Sequence, residues 1–258
     1  MRLRVLGSSD AFNGAGRCHA SYLLESEGLA PVVVDFGATG LLALRLQGLP
    51  AKDIGAVIVT HLHGDHFGGL PFLLLDGMYN EVRSRPLELV GAVGLEARVQ
   101  ALFQAFYSDV ADRPRHFETV YRELAPGADV MVAGLRVETF AADHMDPPDQ
   151  PLCLRVTTPN GKVVAFSGDT EPCEGLYAAA KGADLLVAEC TGLRPPCGRH
   201  CSWVDWQTMF AAVLRAGPRR ILMSHLGTDV RAARERLSLE CPPEVTLTFA
   251  DDGLVVDV

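Results

Sequence analysis

The sequence lacks any long hydrophobic run, although 48% of its 258 residues are hydrophobic. A membrane-spanning helix needs roughly 18 to 20 consecutive apolar residues, and no run approaches that length. A signal peptide is also not apparent, because Met1 to Leu6 follow a strand pattern without an apolar core or a small-residue cleavage site. These absences predict a cytoplasmic protein that does not insert into a membrane.

The sequence also has fewer basic than acidic residues. The chain has no Lys- or Arg-rich run, and its formal net charge is −9 at pH 7. Proteins that bind long polyanions usually carry a basic face. The charge therefore favours a small-molecule substrate over one of the size of tRNA.

The seven cysteines do not have the pattern of a disulfide-stabilised domain, because their number is odd and they are scattered. The one dense group runs from Cys197 to Cys201 and encloses His200, and a metal or redox role for it is left open. Internal repeats, low-complexity tracts and linkers are absent as well. We therefore expect residues 1–258 to form a single domain.

The most informative stretch of the chain is a cluster of metal-ligand residues directly after a predicted strand. β-Favouring residues run from Val57 to Thr60, and the cluster that follows consists of His61, His63, Asp65 and His66. Imidazole and carboxylate groups are ligands of zinc, manganese and iron. His61 and His63 alternate and can point to one side, whereas Gly64 turns the chain before the other two. The motif can therefore serve two neighbouring metal ions, and it requires further ligands from later in the chain.

Three later residues occur where a predicted strand ends: His144, Asp169 and His225. Strand ends are positions at which side chains can gather at one edge of a sheet. The order of strand and helix patterns predicts two sheets covered by helices, an α/β fold. Two local signals mark element boundaries: Asn160-Gly161 predicts a hairpin, and Ser202 with Asp205 has the form of a capping box at a helix start.

The motif H-x-H-x-D-H, followed by a distant His, Asp and His, resembles that of the metallo-β-lactamase fold superfamily. The resemblance implies a four-layer αββα sandwich of two mixed sheets flanked by helices. It also implies two divalent metal ions, with zinc in first place and manganese or iron as alternatives. The implied ligands are His61, His63 and His144 for one ion and Asp65, His66 and His225 for the other, with Asp169 bridging both.

A hydroxide held between two such cations is a nucleophile near neutral pH, because the cations lower the pKa of the bound water. The sequence therefore predicts a metal-dependent hydrolase in which Asp65 acts both as a ligand and in catalysis. Neither serine nor cysteine is needed as a nucleophile.

Two segments resemble the ribonuclease Z and small-substrate phosphodiesterase branch of that superfamily. His200 lies in Arg199-His200-Cys201-Ser202, where the branch has Gly-His-Ser/Thr, and the resemblance implies that it contacts the scissile phosphate or protonates the leaving group. Glu189 lies in a segment similar to the His-Glu-Ala-Thr of the branch, with Ala188 in place of its first His, and it is predicted to support the site from outside the metal ligands.

The spacing of the ligands argues against tRNA as the substrate. Only 24 residues separate His144 from Asp169, and the predicted hairpin uses most of them. In the tRNA-processing enzymes of this branch, a long arm that grips tRNA is inserted at this position. The resemblance therefore points to the members that hydrolyse small cyclic phosphodiesters.

The loop from Gly7 to Arg17 resembles the N-terminal loop of the same branch. Ser9, Asn13 and Arg17 are predicted substrate contacts, Arg17 because a guanidinium matches phosphate or carboxylate oxygens. Asp35, at a strand end, is the predicted partner of a metal-bound histidine, with a turn-forming aspartate as the alternative.

Three functions compete at this stage. The first is hydrolysis of a small phosphodiester, the second is hydrolysis of a lactone, thioester or β-lactam at the same metal site, and the third is a non-catalytic metal- or partner-binding role. The full set of seven ligands argues against the third function, and His200 with the first loop favours the first. His19 and His116 are predicted to be structural or surface residues. A homodimer contact through the helices near residues 67–79 and 94–106 is left open, because burial in the core explains their apolar faces equally well.

Overall fold

The computed structural model describes residues 1–258 and contains two sheets of seven strands each, numbered along the chain. The first sheet has the order β14-β1-β2-β3-β4-β5-β6, with strands Val255–Asp257 (β14), Arg2–Gly7 (β1), Ser21–Glu25 (β2), Val32–Val34 (β3), Ala56–Val59 (β4), Leu87–Ala92 (β5) and Thr119–Leu124 (β6). Pairing is antiparallel from β14 to β3 and parallel from β3 to β6.

The second sheet repeats this mixture of pairings. Its order is β13-β12-β11-β10-β9-β8-β7, with strands Thr246–Phe249 (β13), Arg220–Ser224 (β12), Leu185–Glu189 (β11), Val163–Phe166 (β10), Leu152–Thr157 (β9), Leu135–Ala141 (β8) and Asp129–Val132 (β7). Pairing is parallel from β13 to β10 and antiparallel from β10 to β7. Both sheets are therefore mixed, as predicted.

The structure contains seven α-helices, and all of them except the short helix Gly64–Phe67 flank the two sheets. The seven are Gly40–Leu46 (α1), Gly64–Phe67 (α2), Leu70–Tyr79 (α3), Leu95–Phe106 (α4), Glu174–Ala180 (α5), Trp203–Ala216 (α6) and Thr228–Glu240 (α7). The larger apolar cluster joins the facing sides of the two sheets to α1, α3 and α4, and the smaller cluster lies between the second sheet and α5, α6 and α7. The layers are thus helices, sheet, sheet and helices, which confirms the predicted αββα sandwich.

The burial of each strand follows from its position in a sheet. Every residue of β4 and of β11 is buried, because these inner parallel strands are covered on both faces. In β9, Leu152 and Leu154 point into the core between the sheets, whereas Cys153 points to the helix layer. Tyr22 of the first sheet and Phe166 of the second meet with ring centroids 5.5 Å apart.

Most predicted elements are present, with one interruption. The helix expected over residues 67–79 begins only at Leu70, since Gly68 and Gly69 separate it from Phe67, the last residue of α2. Helices α3 and α4 turn most of their apolar side chains into the larger cluster. None of the seven helices combines the length and the hydrophobicity that a membrane crossing requires.

Candidate metal centre

The predicted ligand segments reach one edge of the sandwich. Strands β8, β10, β11 and β12 run in the same direction, because β8 and β10 are both antiparallel to β9 and the other pairings are parallel. Their carboxyl ends therefore lie at the same edge of the second sheet. The residues found there are His144, Asp169, Glu189 and His225, and the segment after β4 brings His61 to His66 from the first sheet.

The first ligand group consists of His61, His63 and His144, whose candidate donor atoms all lie within 4.8 Å of one another. His63 Nδ1 is 3.2 Å from His61 Nε2 and 2.9 Å from His144 Nε2. Burial lowers the pKa of each of these three imidazoles, so the neutral form that binds metal ions is favoured.

The second group consists of Asp65, His66, Asp169 and His225, again within 4.8 Å. Asp169 Oδ2 is 3.2 Å from both His66 Nε2 and His225 Nε2. Burial alone would lower the pKa of His225, but the negative charge of Asp169 and the hydrogen bond to Asp65 together outweigh burial and raise it to about 9. The pKa of Asp65 is held well below its usual range, because His66 and His225 outweigh the effect of burial.

Asp169 also faces the first group. Its Oδ2 is 3.7 Å from His61 Nε2 and 3.8 Å from His144 Nε2. One buried carboxylate oxygen is therefore next to both sets of imidazoles.

These donors fit divalent metal ions. Imidazole nitrogens and carboxylate oxygens converge in both groups. His66 Nε2 is buried beside two carboxylates but makes no hydrogen bond to either of them. Such a nitrogen, aimed into a cluster of anionic oxygens, suits a cation between the donors.

A ring of outer hydrogen bonds fixes the orientation of the imidazoles. His66 Nδ1 donates to Asp35 Oδ2 at 2.8 Å, and His144 Nδ1 donates to the carbonyl of Arg199 at 2.8 Å. In the neutral form of both rings, this donation leaves Nε2 without a proton and available to a metal ion. Asp35 also accepts the backbone N–H of Thr60 at 2.7 Å and is buried with a φ of 59°.

Thr191 plays the same part for His225; it is the threonine of the segment that resembles His-Glu-Ala-Thr, but no role was predicted for it. Its Oγ1 lies 2.9 Å from His225 Nδ1 and donates to Glu189 Oε2 at 2.8 Å. Because a hydroxyl has one proton, which Thr191 donates to Glu189, its oxygen accepts the N–H of His225 Nδ1. Thr191 therefore links His225 to Glu189 through two hydrogen bonds.

His200 stands beside both groups. Its Nδ1 is 3.0 Å from Glu189 Oε1 and 3.8 Å from Asp169 Oδ2, and its ring stacks on His225 at a centroid distance of 5.3 Å. Burial lowers the pKa of His200, but the hydrogen bond and charge of Glu189 outweigh burial and raise it above its usual value. Glu189 is itself buried and accepts the backbone N–H of Thr170 at 2.8 Å.

The three predicted substrate contacts of the first loop have partners within the protein. Ser9 Oγ donates to Asp10 at 3.0 Å, and Asn13 donates to the carbonyl of Arg17 at 2.9 Å. Arg17 pairs with Asp251, with 2.5 Å between Nε and Oδ1. The loop nevertheless borders the centre, because Ser9 bridges to His19 and to Leu226, the residue after His225.

His19 was predicted to be a structural or surface residue, and the structure buries it near the second group. The charges of Asp65, His66 and His225 act on the pKa of its side chain. Its Nδ1 is buried without a hydrogen-bond partner. No motif surrounds His19, so its position depends on the path of the loop. His116, in contrast, is exposed.

The mouth of the centre is bordered by the loop that follows His144. Arg199 pairs with Asp143 and with Asp146, and Arg98 of α4 pairs with Asp149 at 2.6 Å. Arg98 also donates to the carbonyl of Leu62 at 3.3 Å. These ion pairs attach the loop to the segments that carry His63 and His200.

The sequence matches known proteins over most of its length. The model of the family described as beta-lactamase superfamily domain matches residues 33–226. An uncharacterized protein of Mycobacterium tuberculosis (strain H37Rv) is 30% identical over 230 residues, which cover 88% of this chain and 81% of that protein. A ribonuclease Z of Mycobacterium sp. (strain KMS) is 30% identical over 195 residues, which cover 72% of this chain and 67% of that protein.

Solved structures share the fold over the full chain. The metallo-beta-lactamase fold protein YhfI from Bacillus subtilis aligns with a TM-score of 0.77 and 20% identity over 99% of both chains. Human tRNase Z, short form, aligns with a TM-score of 0.76 and 23% identity over 100% of this chain and 99% of that chain. A diphosphatase of the PhnP family aligns with a TM-score of 0.77 and 15% identity over 100% of this chain and 97% of that chain.

Proposed function

We propose that this chain, which belongs to the β-lactamase superfamily, hydrolyses a small phosphodiester with two divalent metal ions. Members of this fold family are metal-dependent hydrolases. The observation that carries the proposal is the pair of His200 and buried Glu189 beside Asp169. Hydrolysis of a lactone, thioester or β-lactam needs the metal ligands, but these substrates have no phosphate group for such a histidine to contact.

Seven residues would hold the metal ions. We assign His61, His63 and His144 to one ion and Asp65, His66 and His225 to the other, with Asp169 as the shared ligand. Bound zinc, or manganese or iron in its place, supplies Lewis acidity for the phosphoryl oxygens and a nucleophile at neutral pH.

His200 serves in this proposal as the general acid or as a phosphate contact. Its Nδ1 is held by Glu189, which leaves Nε2 for the substrate. A pKa above the usual value favours the protonated ring, which can give a proton to the departing oxygen. Asp65, beside His66 and His225, would orient the attacking water as well as bind metal.

The first loop forms one wall of the pocket in this proposal. Contact of Ser9, Asn13 and Arg17 with substrate stays a prediction. Arg17 would have to exchange Asp251 for a phosphate oxygen to make such a contact.

The segment between His144 and Asp169 supports the proposal of a small substrate. Residues 145–168 hold the loop at the mouth and the hairpin of β9 and β10, and no residues remain for an arm that could grip tRNA. The resemblance to ribonuclease Z makes precursor tRNA the second candidate, which any assay must include.

The proposal is tested by steady-state hydrolysis with metal-reconstituted enzyme. The substrates are bis(p-nitrophenyl) phosphate, cyclic nucleotides, a cyclic ribose phosphate, precursor tRNA, an acyl-homoserine lactone, a thioester and a cephalosporin. We expect the highest kcat/KM with a small phosphodiester. A highest value with tRNA would overturn the size argument, and a highest value with a carbon ester or lactam would overturn the role of His200.

A further inference from the structure

Two cysteines outside the metal centre lie against each other. Cys153 is fully buried on the outer face of β9, and Cys173 is the half-buried residue directly before α5, which packs on that face. The largest single influence on the pKa of each thiol is its hydrogen bond to the other. Side chains from two different elements thus bring one accessible and one inaccessible sulfur together.

The surroundings of the two sulfurs differ. Cys173 Sγ lies 3.3 Å from Thr170 Oγ1, at the start of α5, where the backbone N–H groups of Gly175 and Leu176 favour its thiolate. The hydrogen bond from Cys153, with these donors, lowers the pKa of Cys173 to about 6. The hydrogen bond to Cys173, together with burial, raises the pKa of Cys153 well above its usual value.

We propose that Cys173 is a site of oxidation by hydroperoxides and that Cys153 converts the oxidised sulfur into an intramolecular disulfide. The Cys173 thiolate attacks one peroxide oxygen, the O–O bond breaks, and hydroxide leaves, which gives a sulfenic acid. Cys153 then attacks the Cys173 sulfur, the S–O bond breaks, and water forms with the proton of the Cys153 thiol. Two thiols lose two electrons in total, and hydrogen peroxide is reduced to water.

The chain offers an internal comparison for this chemistry. Cys241 is also partly exposed, but burial raises its pKa to about 11 and it has no neighbouring thiol. The thiolate is the nucleophile, although its intrinsic reactivity falls as the pKa falls. Combining both effects, we expect Cys173 to react at least about tenfold faster than Cys241 at neutral pH.

The test is peptide mapping of the full chain after brief treatment of the reduced protein with hydrogen peroxide. Trypsin releases Cys153, Cys173 and Cys241 on separate peptides, namely residues 137–155, 163–181 and 237–258. We expect a cross-linked 137–155 and 163–181 pair, lighter by two hydrogen atoms than its reduced peptides, while Cys241 stays reduced. A Cys173 that remains reduced when Cys241 is oxidised, or that pairs with Cys201, would contradict the proposal.

Three variants assign the two roles. Cys153→Ser should leave the sulfenic acid of Cys173 unresolved, so that dimedone labels peptide 163–181. Cys173→Ser should abolish both the disulfide and the label, and the matched control Cys241→Ser should behave as the parent protein.

A measurement without any variant covers the case in which Cys153→Ser does not fold. Alkylation of Cys173 in the parent protein by iodoacetamide should have its midpoint near pH 6, the pKa of its thiol. A midpoint above the ordinary thiol pKa of about 8.5 would refute the reactivity assigned to Cys173. None of these readouts depends on the substrate of the metal centre.

Discussion

Asp35 shows how much of the centre depends on one carboxylate behind the ligands. It accepts from His66 Nδ1 and from the backbone of Thr60, and it holds a left-handed φ of 59° that non-glycine residues seldom adopt. A buried residue keeps such a conformation only where its surroundings fix it. Its geometry therefore couples the end of β4 to the orientation of His66.

Replacement of Asp35 should weaken metal binding without removing a ligand. In Asp35→Asn the acceptor for His66 Nδ1 loses its charge, and we expect metal affinity to fall about 10- to 100-fold. Competition with a chelator measures the change. The exposed Asp53→Asn serves as the control, and equal affinities in both variants would show that Asp35 has no such role.

Asp169, unlike Asp35, lies between the two ligand groups. Because one oxygen faces imidazoles of both groups, Asp169→Ala should release or greatly weaken at least one metal ion. Elemental analysis decides this, with the exposed Asp109→Ala as the control. Two full equivalents of metal in the Asp169 variant would show that the shared role is wrong.

His200 allows the catalytic role to be separated from metal binding. We expect His200→Ala to lower phosphodiester turnover by about a hundredfold or more, the range that general acid catalysis supplies. Metal content should not change, and the exposed His116→Ala should retain full turnover. Undiminished turnover in the His200 variant would leave the ring with a structural role only.

The helix that follows His200 illustrates what a local pattern can predict. Ser202 and Asp205 form the predicted capping box, in which Asp205 accepts the Ser202 N–H at 2.8 Å and Ser202 accepts the Asp205 N–H at 3.2 Å. In the first turn, Trp206 Nε1 donates to the carbonyl of Glu189 at 2.8 Å. The helix start thus contacts the residue that orients His200.

Loss of this cap should lower stability by a small, measurable amount. Ser202→Ala removes the acceptor for a helix N–H, and we expect a loss of about 1 kcal/mol in the free energy of unfolding. Urea denaturation measures it. The exposed Ser238→Ala within α7 is the matched control and should cost much less.

Elements shaped by distant contacts were harder to predict. The helix after His66 breaks at Gly68 and Gly69, and a side chain on Gly69 would clash with the carbonyl of Gly37, 2.1 Å from its Cβ. Because Gly37 lies about thirty residues earlier in the chain, the hydropathy pattern around Gly69 does not predict this close contact. The Asn160-Gly161 hairpin, in contrast, was predicted from its Asn-Gly step alone, and Gly161 has the positive φ that such a turn requires.

At the scale of the molecule, the composition and strand patterns predicted two sheets covered by helices, and the motif resemblance supplied the order of the layers. The pairing of β1 with β14 could not be predicted, because short exposed strands carry little pattern and the partners lie at opposite ends of the sequence. Contacts of the first loop with the end of the chain, such as that of Arg17 with Asp251, were missed for the same reason.

The contact between the chain ends should contribute to global stability. Asp252 accepts from Ser8 Oγ and from the backbone of Cys18, both at 2.8 Å. Asp252→Ala leaves a buried hydroxyl and an N–H without this partner, and we expect a loss of about 1–3 kcal/mol in urea denaturation. Asp257→Ala removes an exposed ion pair, which contributes at most about 1 kcal/mol, and is the control. Equal stability of the two variants would contradict the expectation.

The same pairing fixes where the two termini lie. The N–H of Val258 donates to the carbonyl of Met1 at 3.0 Å, whereas the other end of β1 leads through Ser9 to Leu226 beside the metal centre. Both termini are therefore at the edge of the sandwich opposite the centre. If the protein is tethered to a solid support through either terminus, its catalytic face points toward the solution and diffusing substrate can reach it.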